Sequence, residues 1–540
     1  MSDWGAQHTT LGSALGGLDM AMPGDGGPPP YRAWWGGALT EAVLKGDVPQ
    51  WRLDDMVIRI MTAYFKVHTG NYTSRPSINF SAWTNATTGP LHPSSNQSIT
   101  TVNEFTNVQS THAALIRELS AASIVLLKNT HNLLPLPTNP PSIAILGDDA
   151  QDAPNGPNAC PDRACLRGTT ATGYGSGTAE FPYLISPATA LRTHLANSTT
   201  TLINPAASVN WNLPLACEAA ANASVAIVFA SATSGEGYLT VDHNAGDRNN
   251  LTLWANGDAL IAAVAACNPR TVVVLHTPGP VDLTAAQANP NVSAILWAGF
   301  PGQESGNGLV DVLFGRVGAR GRSPFTWAGG ASEYPAGVME VFGEGRQVFG
   351  EGVFVDYRWF GKHGRGVVYP FGFGLGYTRF GYADLRVVVV PKGEVVAGVV
   401  EEGGTSPAGS YGVVEAGLGA HVAPEGFRRI SPYVYPWLNN SEGFVVGGGG
   451  DLAAGFPPAA RDGSGQPVLP ASGAPGGNPG LYEVLYTVTA SIKNIGDVKG
   501  TEIPQLVRLH NNTAPESTPL HGCLLTTRQH AIVCPARRRG

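Results

Sequence analysis

Short apolar runs separated by helical segments constrain the fold of the middle of this chain more than any other feature. The runs lie at Ser142–Leu146, Val225–Phe229, Thr271–Leu275 and Val292–Trp297, and none contains a charged residue. Helical patterns lie between or after them, at His112–Ala122, Ala259–Ala266 and Gly308–Phe314. Strands that are apolar throughout are typical of a parallel sheet covered by helices on both faces. Residues 111–330 therefore predict an α/β sandwich domain with a mostly parallel sheet, whose ligand loops follow the carboxyl ends of the strands.

Residues 1–68 predict two helices and no complete core. The first helix is expected at Ala38–Lys45, and Pro49 suits the first turn of the second. The second helix has an apolar stripe at Leu53, Met56, Val57, Ile60, Met61 and Tyr64. An amphipathic helix needs a neighbour to cover this stripe, and so few preceding residues supply little core. We therefore expect residues 1–68 to be the C-terminal part of a larger domain.

The composition changes at several places outside the predicted α/β domain. Residues 69–110 are rich in Asn, Ser, Thr and Pro, which predicts a glycosylated linker; an ordered loop wrapped on a neighbour is the alternative. Residues 331–380 are rich in aromatic residues and glycine, which predicts an irregular wrapping segment. Residues 381–540 predict a small β domain because Val484–Ile492 alternates strictly, with a Gly- and Pro-rich insertion at 447–480.

Ten Asn-x-Ser/Thr sequons favour a secreted glycoprotein that carries N-glycans. They are Asn71, Asn79, Asn85, Asn96, Asn197, Asn222, Asn250, Asn291, Asn439 and Asn511. The segment Met1–Ser13 has neither a basic start nor an apolar core, so it does not predict a signal peptide. We therefore expect an extracellular protein whose signal peptide lies in a missing N-terminal segment.

The six cysteines allow two disulfide bonds. Cys160 and Cys165 could close a small loop, and Cys217 and Cys267 could form a second bridge. The alternative is that these residues are buried free thiols. The sequence contains no Cys-x-x-Cys pair or neighbouring His that would indicate zinc.

Charge and motifs exclude several classes of function. The net charge of −7 and the isoelectric point near 6.0 provide no general basic field for a phosphate backbone, so we expect no nucleic-acid partner. No run of 18 apolar residues occurs, so we expect no membrane span. No metal cluster, phosphate-binding loop or nucleophile elbow is present, which predicts no cofactor and no metal. The sequence does not indicate an oligomeric state.

Two carboxylates have the surroundings that glycoside hydrolysis needs. Hydrolysis with retention uses one carboxylate as nucleophile and a second as proton donor, about 5 Å apart. Asp3 lies in Ser2-Asp3-Trp4-Gly5, where the indole could stack on a sugar face. Glu236 lies in Ser234-Gly235-Glu236-Gly237-Tyr238, where glycines can expose a carboxylate after a strand. A surface Asp and a turn Glu without catalytic role remain the alternative from spacing alone.

Many ordered blocks of the chain resemble fungal β-glucosidases of glycoside hydrolase family 3. The resemblance covers most of residues 1–390 and returns around residues 481–510. The matching blocks include Met1–His8, Gly17–Asp25, Arg52–Met56, Ala122–Asn129, Gly175–Ala179, Ser234–Tyr238, Gly246–Leu251, Trp297–Asn307, Glu351–Arg358 and Phe371–Leu375.

The resemblance implies an α/β multidomain protein and assigns the site residues. It implies the C-terminal remnant of a (β/α)8-type barrel, the α/β sandwich and a fibronectin type III-like β-sandwich. It makes Asp3 the nucleophile and Glu236 the acid/base. Trp4 resembles the aromatic residue on the aglycone side, and Ser176 resembles a residue that approaches the glucose site. Tyr174 stands where relatives often carry Trp, which implies weaker stacking on the aglycone.

The expected reaction is retaining hydrolysis of terminal β-D-glucose from cellobiose and other β-glucosides, without a cofactor. Desolvation would have to raise the pKa of Glu236 for the first step. A β-xylosidase or an N-acetylglucosaminidase of the same architecture is the alternative enzyme. A carbohydrate-binding remnant without catalytic activity is the alternative from another class.

The chain departs from the family pattern at both ends. Family members carry a long segment before the Ser2-Asp3-Trp4 block that holds most of the barrel and the glucose-binding side chains. The family pattern also ends after Leu506. We therefore expect an incomplete β-glucosidase, and little or no turnover of an aryl β-glucoside by the 540-residue chain alone.

Overall fold

In a computed structural model of the protein, the chain forms two compact units, one of Met1–Asn107 with Val387–Val488 and one of Val108–Arg386 with Thr489–Gly540. The structure describes residues 1–22, 34–67, 87–90, 99–101, 107–205, 208–335, 350–390, 484, 486–508, 523–526 and 531–533. The predicted insertion at 447–480 and most of the predicted linker at 69–110 lie outside the described residues. None of the described helices is long and apolar enough to cross a lipid bilayer.

Three helices and one short strand pair make up the regular structure of the described residues in Met1–Asn107. They are α1 (Leu11–Leu15), α2 (Gly37–Leu44), α3 (Gln50–Val67), β1 (Thr88–Pro90) and β2 (Ile99–Thr101). A small apolar cluster contains Leu11, Ala14, Leu39, Ala42, Val43, Val48 and Met56. Of the predicted stripe on α3, Met56 is buried in this cluster, whereas Val57, Met61 and Tyr64 are exposed. The described residues therefore cover only the first turns of that stripe.

The buried guanidinium of Arg52 joins α3 to the segment that follows α1. It donates to the carbonyl oxygens of Ala14 and Leu18 and to the carboxylates of Asp19 and Asp55. Arg52 is only 4% exposed, so these acceptors replace the water that the charge would otherwise need. A buried charge with these four partners holds the end of α1 and the residues directly after it against α3.

A six-stranded sheet is the centre of the second unit. Its strands are β3 (Val125–Asn129), β4 (Ser142–Leu146), β5 (Thr201–Ile203), β6 (Val225–Ser231), β9 (Thr271–His276) and β10 (Val292–Trp297). The order across the sheet is β3-β10-β9-β6-β4-β5, and only the β3–β10 pair is antiparallel. The four predicted strands and the mostly parallel sheet are confirmed. The edge strands β3 and β5 were not predicted.

Helices cover both faces of this sheet. They are α4 (His112–Ser123), α5 (Pro187–His194), α6 (Leu213–Ala221), α7 (Gly257–Cys267), α8 (Thr284–Ala288) and α9 (Ser305–Leu313). Helices α4, α5 and α9 pack together, and α6 packs against α7. Along β4, Ile143 and Ile145 belong to one buried cluster and Ala144 and Leu146 to the other. Alternation of side chains along a strand thus supplies both layers of core.

Two helices that the apolar pattern missed have clear start signals. The hydroxyl of Ser186 accepts a hydrogen bond from the backbone N–H of Thr189, and Pro187 is the first residue of α5. The side chain of Asn212 accepts from the backbone N–H of Leu215 at the start of α6. Both residue types are preferred helix caps.

Smaller elements lie in the second unit or, for β13 and β14, partly in the first. They are β7 (Thr240–Val241), β8 (Asn244–Ala245), β11 (Trp327–Ala328), α10 (Tyr357–His363), β12 (Val367–Tyr369), β13 (Phe380–Val389), β14 (Tyr486–Asn494), β15 (Gln505–Arg508), β16 (Cys523–Thr526) and β17 (Ala531–Val533). Strands β13 and β14 pair with each other, and β15, β16 and β17 form a three-stranded sheet. The segment predicted to be irregular at 331–380 therefore contains β12 and α10.

A disulfide bond between Cys217 and Cys267 links the neighbouring helices α6 and α7. A second bond between Cys160 and Cys165 closes a short loop in the connection after β4. Both pairs are those that the sequence allowed. The cysteines of the Cys217–Cys267 bond are 50 residues apart in sequence, and those of the Cys160–Cys165 bond are 5 apart. The Cys217–Cys267 bond therefore restricts the unfolded chain more.

We predict that replacing Cys217 and Cys267 together by alanine lowers the free energy of unfolding by about 2–4 kcal/mol. The cause is the larger conformational freedom of the unfolded chain without the link. Calorimetric unfolding of the protein measures the change. The matched control replaces Cys160 and Cys165 by alanine, which should lower the free energy of unfolding less; equal losses would contradict the prediction.

Candidate active site

The connections after β4 and β6 leave adjacent strands toward opposite faces of the sheet. The connection after β4 leads to α5, which packs with α9, whereas the connection after β6 leads to α7, which packs with α6. The strand order therefore reverses between β4 and β6. Ligands of open α/β sheets bind in the crevice that such a reversal leaves at the carboxyl ends of the strands. The connection after β4 carries Tyr174 and Ser176, and the connection after β6 carries Glu236. Both connections begin at this crevice.

The carboxylate of Glu236 is held by Ser176 through two hydrogen bonds. The Ser176 hydroxyl donates to Oε1 at 2.6 Å, and the Ser176 backbone N–H donates to Oε2 at 2.9 Å. Glu236 follows β6 and Ser176 belongs to the connection after β4, so the contact joins the two loops of the crevice. Both side chains are exposed. The structure thus brings together two of the residues that the sequence predicted for the site.

The backbones of these two loops lie directly against each other. The Tyr174 N–H donates to the Ser234 carbonyl at 3.1 Å, and Tyr174 forms an isolated parallel bridge with Gly235. A Cβ atom added to Gly235 would lie 2.2 Å from the Tyr174 ring. A Cβ added to Gly175, whose φ is +117°, would lie 3.0 Å from the Glu236 carboxylate. Glycine at these two positions is what allows the approach.

Tyr174 is part of the core, which corrects one expectation. The side chain is 5% exposed, and its hydroxyl donates to the Gly246 carbonyl. Its pKa is raised because burial disfavours the phenolate and Asp247 adds a nearby negative charge. A ring that packs over Gly235 presents no free face for stacking. Tyr174 supports the loop that carries Ser176, and weaker stacking on an aglycone does not follow from it.

The hydrogen bonds from Ser176 also set the ionisation of Glu236. The pKa of Glu236 is lowered, first by the Ser176 hydroxyl and next by the Ser176 backbone N–H, while slight desolvation acts in the opposite direction. Hydrogen bonds from donors stabilise the ionised carboxylate. The rise in pKa that the first step requires is therefore not supplied by these loops, because the side chain is exposed and two donors face it.

The Cys160–Cys165 loop lies against both sides of this contact through Asp162. The Asp162 carbonyl accepts a hydrogen bond from the Gly175 N–H at 3.0 Å. The Asp162 carboxylate accepts one from the Tyr238 hydroxyl, also at 3.0 Å. Neither Asp162 nor Tyr238 was predicted as a site residue. The sequence signal was the pair of cysteines around Asp162, but it does not reveal where the loop lies.

A group of buried, hydrogen-bonded polar residues supports the connection after β4. His276 at the end of β9 contacts the Asp149 carboxylate at 2.6 Å, and Asp149 also accepts from the Thr170 N–H at 2.7 Å. The second ring nitrogen of His276 lies 3.5 Å from the Ser305 hydroxyl. His276 and Ser305 are almost fully buried, so this arrangement is closed to a substrate. It fixes the connection that leads to Ser176.

Asp3 and Trp4 belong to the first unit and are exposed there. The Asp3 carboxylate accepts a hydrogen bond from the Trp4 N–H at 2.7 Å. Trp4 forms a parallel bridge with Met22, and its side chain is 65% exposed. Asp3 and Trp4 therefore lie at an isolated β-bridge and not within a regular strand. Among the described residues, no group of three or more His, Cys, Asp or Glu side chains is arranged to hold a metal ion.

Comparison with known families identifies the second unit. Residues 124–377 match the model of the glycosyl hydrolase family 3 C-terminal domain. The chain therefore contains a glycosyl hydrolase family 3 C-terminal domain within an α/β multidomain fold. The matched range contains the six-stranded sheet and both loops of the crevice.

The chain is similar to fungal β-glucosidases in particular. It is 46% identical over 518 residues to the probable β-glucosidase A of Aspergillus fumigatus, covering 94% of this chain and 58% of that protein. It is 46% identical over 516 residues to β-glucosidase 1 of Aspergillus aculeatus, covering 94% and 59%. The family 3 β-glucosidase structure from Neurospora crassa superposes with a TM-score of 0.80 at 43% identity, covering 98% of this chain and 62% of that one. The chain thus spans about three fifths of the length of these relatives.

We predict that Ser176→Ala raises the pKa of Glu236 toward its ordinary value of 4.5, because the hydroxyl that contributes most to lowering it is removed. The stabilising effect of this hydroxyl exists above the unfolded-state pKa and is lost as the pH falls through the lower folded-state pKa. The difference in unfolding free energy between the two proteins should therefore be largest at neutral pH and disappear in acid. Titration of carbon-13 carboxyl signals measures the pKa, and denaturant unfolding measures stability.

The matched control for this prediction is Thr178→Ala. The Thr178 hydroxyl belongs to the same loop but donates to the Gly175 carbonyl. This control should leave the pKa of Glu236 unchanged. An equal shift in both variants would mean that the loop as a whole, rather than the Ser176 hydroxyl, sets the ionisation of Glu236.

Proposed function

We propose that this protein is a retaining β-glucosidase that releases terminal β-D-glucose from cellobiose and other β-glucosides. The observation that carries the proposal is the Glu236 carboxylate, which is exposed at the reversal point of the sheet and oriented by Ser176. A carboxylate in such a crevice can exchange a proton with a glycosidic oxygen. The names of the most similar fungal proteins support the same activity.

In the proposed mechanism, the Asp3 carboxylate attacks the anomeric carbon while Glu236 protonates the departing oxygen. A glycosyl-enzyme ester forms, and Glu236 then removes a proton from the water that hydrolyses it. The Ser176 hydrogen bonds favour ionised Glu236, which is the form that the second step requires. For the first step, a bound sugar must exclude water and raise the pKa of Glu236.

The remaining assignments follow the family resemblance. Residues 1–68 belong to a (β/α)8-type barrel, and residues 381–540 belong to a fibronectin type III-like domain. Trp4 has an exposed indole that can stack on the aglycone. Ser176 lies beside Glu236, and its hydroxyl oxygen can accept a hydrogen bond from a glucose hydroxyl. The substrate is a β-glucoside or cello-oligosaccharide.

Secretion and N-glycosylation are part of the proposal. Among the sequons that the structure describes, Asn197, Asn222 and Asn250 are exposed. Asn291 is only partly exposed, and its side-chain amide donates to the Ala265 carbonyl at 2.8 Å. We therefore expect the first three asparagines to carry glycans more readily than Asn291. Asn71, Asn79, Asn85, Asn96, Asn439 and Asn511 lie outside the described residues.

The decisive test replaces each proposed catalytic carboxylate in turn and compares the activity of the variant with that of the unchanged protein. Glu236→Ala should lower kcat/KM for cellobiose by about 10²–10⁴-fold, because proton donation contributes that much. It should affect a dinitrophenyl β-glucoside less in the first step, since that leaving group needs no proton. Asp3→Ala should lower turnover of both substrates.

Azide distinguishes the two roles through the configuration of the product. In the Glu236→Ala protein, azide attacks the glycosyl-enzyme and should give the β-glucosyl azide. In the Asp3→Ala protein, azide replaces the nucleophile and should give the α-glucosyl azide. The opposite configurations would exchange the roles, and unchanged hydrolysis in both variants would refute the proposed mechanism. A panel of xyloside and N-acetylglucosaminide substrates tests the sugar specificity of the active protein.

A further inference from the structure

The Cys160–Cys165 bond closes a short loop around two residues that have an uncommon backbone conformation. The two cysteines are 5 residues apart in sequence. Between them, Asp162 has a φ of +46° and Arg163 a φ of +62°, in the left-handed region that residues other than glycine seldom adopt. Such a conformation persists where the surrounding structure leaves the backbone few alternatives. The bond therefore helps to hold Asp162 and Arg163 in place.

Asp162 contacts both of the loops that form the contact between Ser176 and Glu236. Its carbonyl oxygen accepts a hydrogen bond at 3.0 Å from the N–H of Gly175, the residue before Ser176. Its carboxylate accepts one, also at 3.0 Å, from the hydroxyl of Tyr238, which follows Glu236 closely in sequence. One residue of the closed loop thus ties together the sequence neighbours of both partners.

Arg163 holds the same closed loop to the chain beyond Ser176. Its guanidinium lies over the ring of Phe181, with the central carbon 4.4 Å from the ring centre. It also donates to the Pro157 carbonyl and, at 2.8 Å, to the Asn158 side chain. Asn158 in turn forms two hydrogen bonds of 2.9 Å with the backbone of Phe181. The closed loop therefore contacts the chain after Ser176 as well as before it.

The effect of the Cys160–Cys165 bond is local. A bond between cysteines 5 residues apart removes less conformational freedom from the unfolded chain than a bond between cysteines 50 residues apart. It therefore contributes less to global stability than the Cys217–Cys267 bond. In the folded protein, however, the contacts of its loop converge on the segments that carry Ser176 and Glu236.

We propose that the loop closed by the Cys160–Cys165 bond positions Glu236, and that Asp162 is the positioning residue. With the bond closed, the Asp162 carbonyl holds the Ser176 loop, and its carboxylate holds the Glu236 loop through Tyr238. The Ser176 hydroxyl and N–H then meet the Glu236 carboxylate. The functional meaning of this positioning rests on the proposed acid/base role of Glu236, whereas the positioning itself does not.

The test removes the bond and follows the titration of Glu236. Replacing Cys160 and Cys165 together by alanine should raise the pKa of Glu236 toward 4.5, by about half or more of the rise in Ser176→Ala. The reason is that the Ser176 donors then face the carboxylate for less of the time. Carbon-13 carboxyl titration of glutamate-labelled protein measures the pKa, and Glu236→Gln identifies its signal.

The double replacement leaves every neighbouring charge in the chain. On the described segments around Glu236, the charged or titratable side chains are Asp162, Arg163, Tyr238, Asp247 and Arg248. Asp247 accepts from the Ser234 hydroxyl, and Arg248 donates to the Pro280 carbonyl. A shift in the titration therefore arises from changed geometry and not from a lost charge.

The matched control removes the other disulfide bond. Replacing Cys217 and Cys267 by alanine should cost more stability but leave the pKa of Glu236 unchanged, because that bond joins α6 to the C-terminal end of α7. An unchanged titration in the Cys160 and Cys165 variant would overturn the proposal. Equal shifts in the two variants would also overturn it, because they would indicate a general loosening of the domain.

Hydrogen exchange of backbone amides gives a second measurement that does not depend on charge. Without the Cys160–Cys165 bond, the amides of Gly175 and Ser176 should exchange about tenfold faster, while those of β6 keep their protection. Asp162→Ala keeps the bond and removes the tie to Tyr238, so it should also speed exchange at Ser176, by a smaller factor. Unchanged exchange there in Asp162→Ala would reject Asp162 as the positioning residue, even if the cysteine variant does not fold.

The pH dependence of hydrolysis separates this proposal from the proposed function. If Glu236 is the acid, the alkaline limb of kcat/KM should move to higher pH without the Cys160–Cys165 bond, by the same amount as the titration. A shifted titration with an unchanged alkaline limb would uphold the positioning of Glu236 and reject its role as the acid. An unchanged titration would reject the positioning, whatever the activity of Glu236→Ala.

Discussion

A sheet whose strands are buried on both faces holds its polar side chains mainly at the ends of its strands. Every residue of β6 and β9 is buried, and the two apolar clusters lie on either side. Burial of this apolar surface is the main force that holds the second unit together. Because the connections after β4 and β6 turn toward opposite faces, polar groups collect between them. The position of Glu236 is thus a consequence of how the core is covered.

The candidate site is an arrangement of loops rather than of strands. Ser176 and Asp162 both come from the long connection after β4, and Glu236 comes from the connection after β6. Backbone hydrogen bonds hold these segments together, and buried His276 and Asp149 anchor the first of them through Thr170. The orientation of the carboxylate therefore depends on contacts among residues that are far apart in sequence. Rigid support of this kind suits a group that must meet a substrate in one geometry.

The sequence predicted the centre of the fold well because its signal is local. Runs such as Val225–Phe229 and Thr271–Leu275 have no charged residue and are mostly aliphatic, which favours buried strands. The edge strand β5, with three residues, is too short for such a pattern, and β3 carries Lys128, whose amine donates to carbonyls of a neighbouring segment. Edge strands are half solvated, so their composition resembles that of loops.

The sequence predicted the site residues that lie within a recognisable motif. It did not predict those that only the folding of the chain brings to the site. Glycines around Glu236 indicated an exposed carboxylate, and the family resemblance added Ser176. Nothing in the sequence near Asp162 indicates that a loop closed by two cysteines reaches Gly175 and Tyr238. The direction of the Glu236 pKa was also hidden, because hydrogen-bond donors from a distant loop decide it.

The two glycines of the crevice have a consequence for attempts to redesign this site. The ring of Tyr174 occupies the space where a side chain at position 235 would begin, and the Glu236 carboxylate occupies that space at position 175. A side chain at position 235 therefore requires a smaller residue at position 174. Position 175 offers no such exchange, because the group that a side chain would meet there is Glu236 itself.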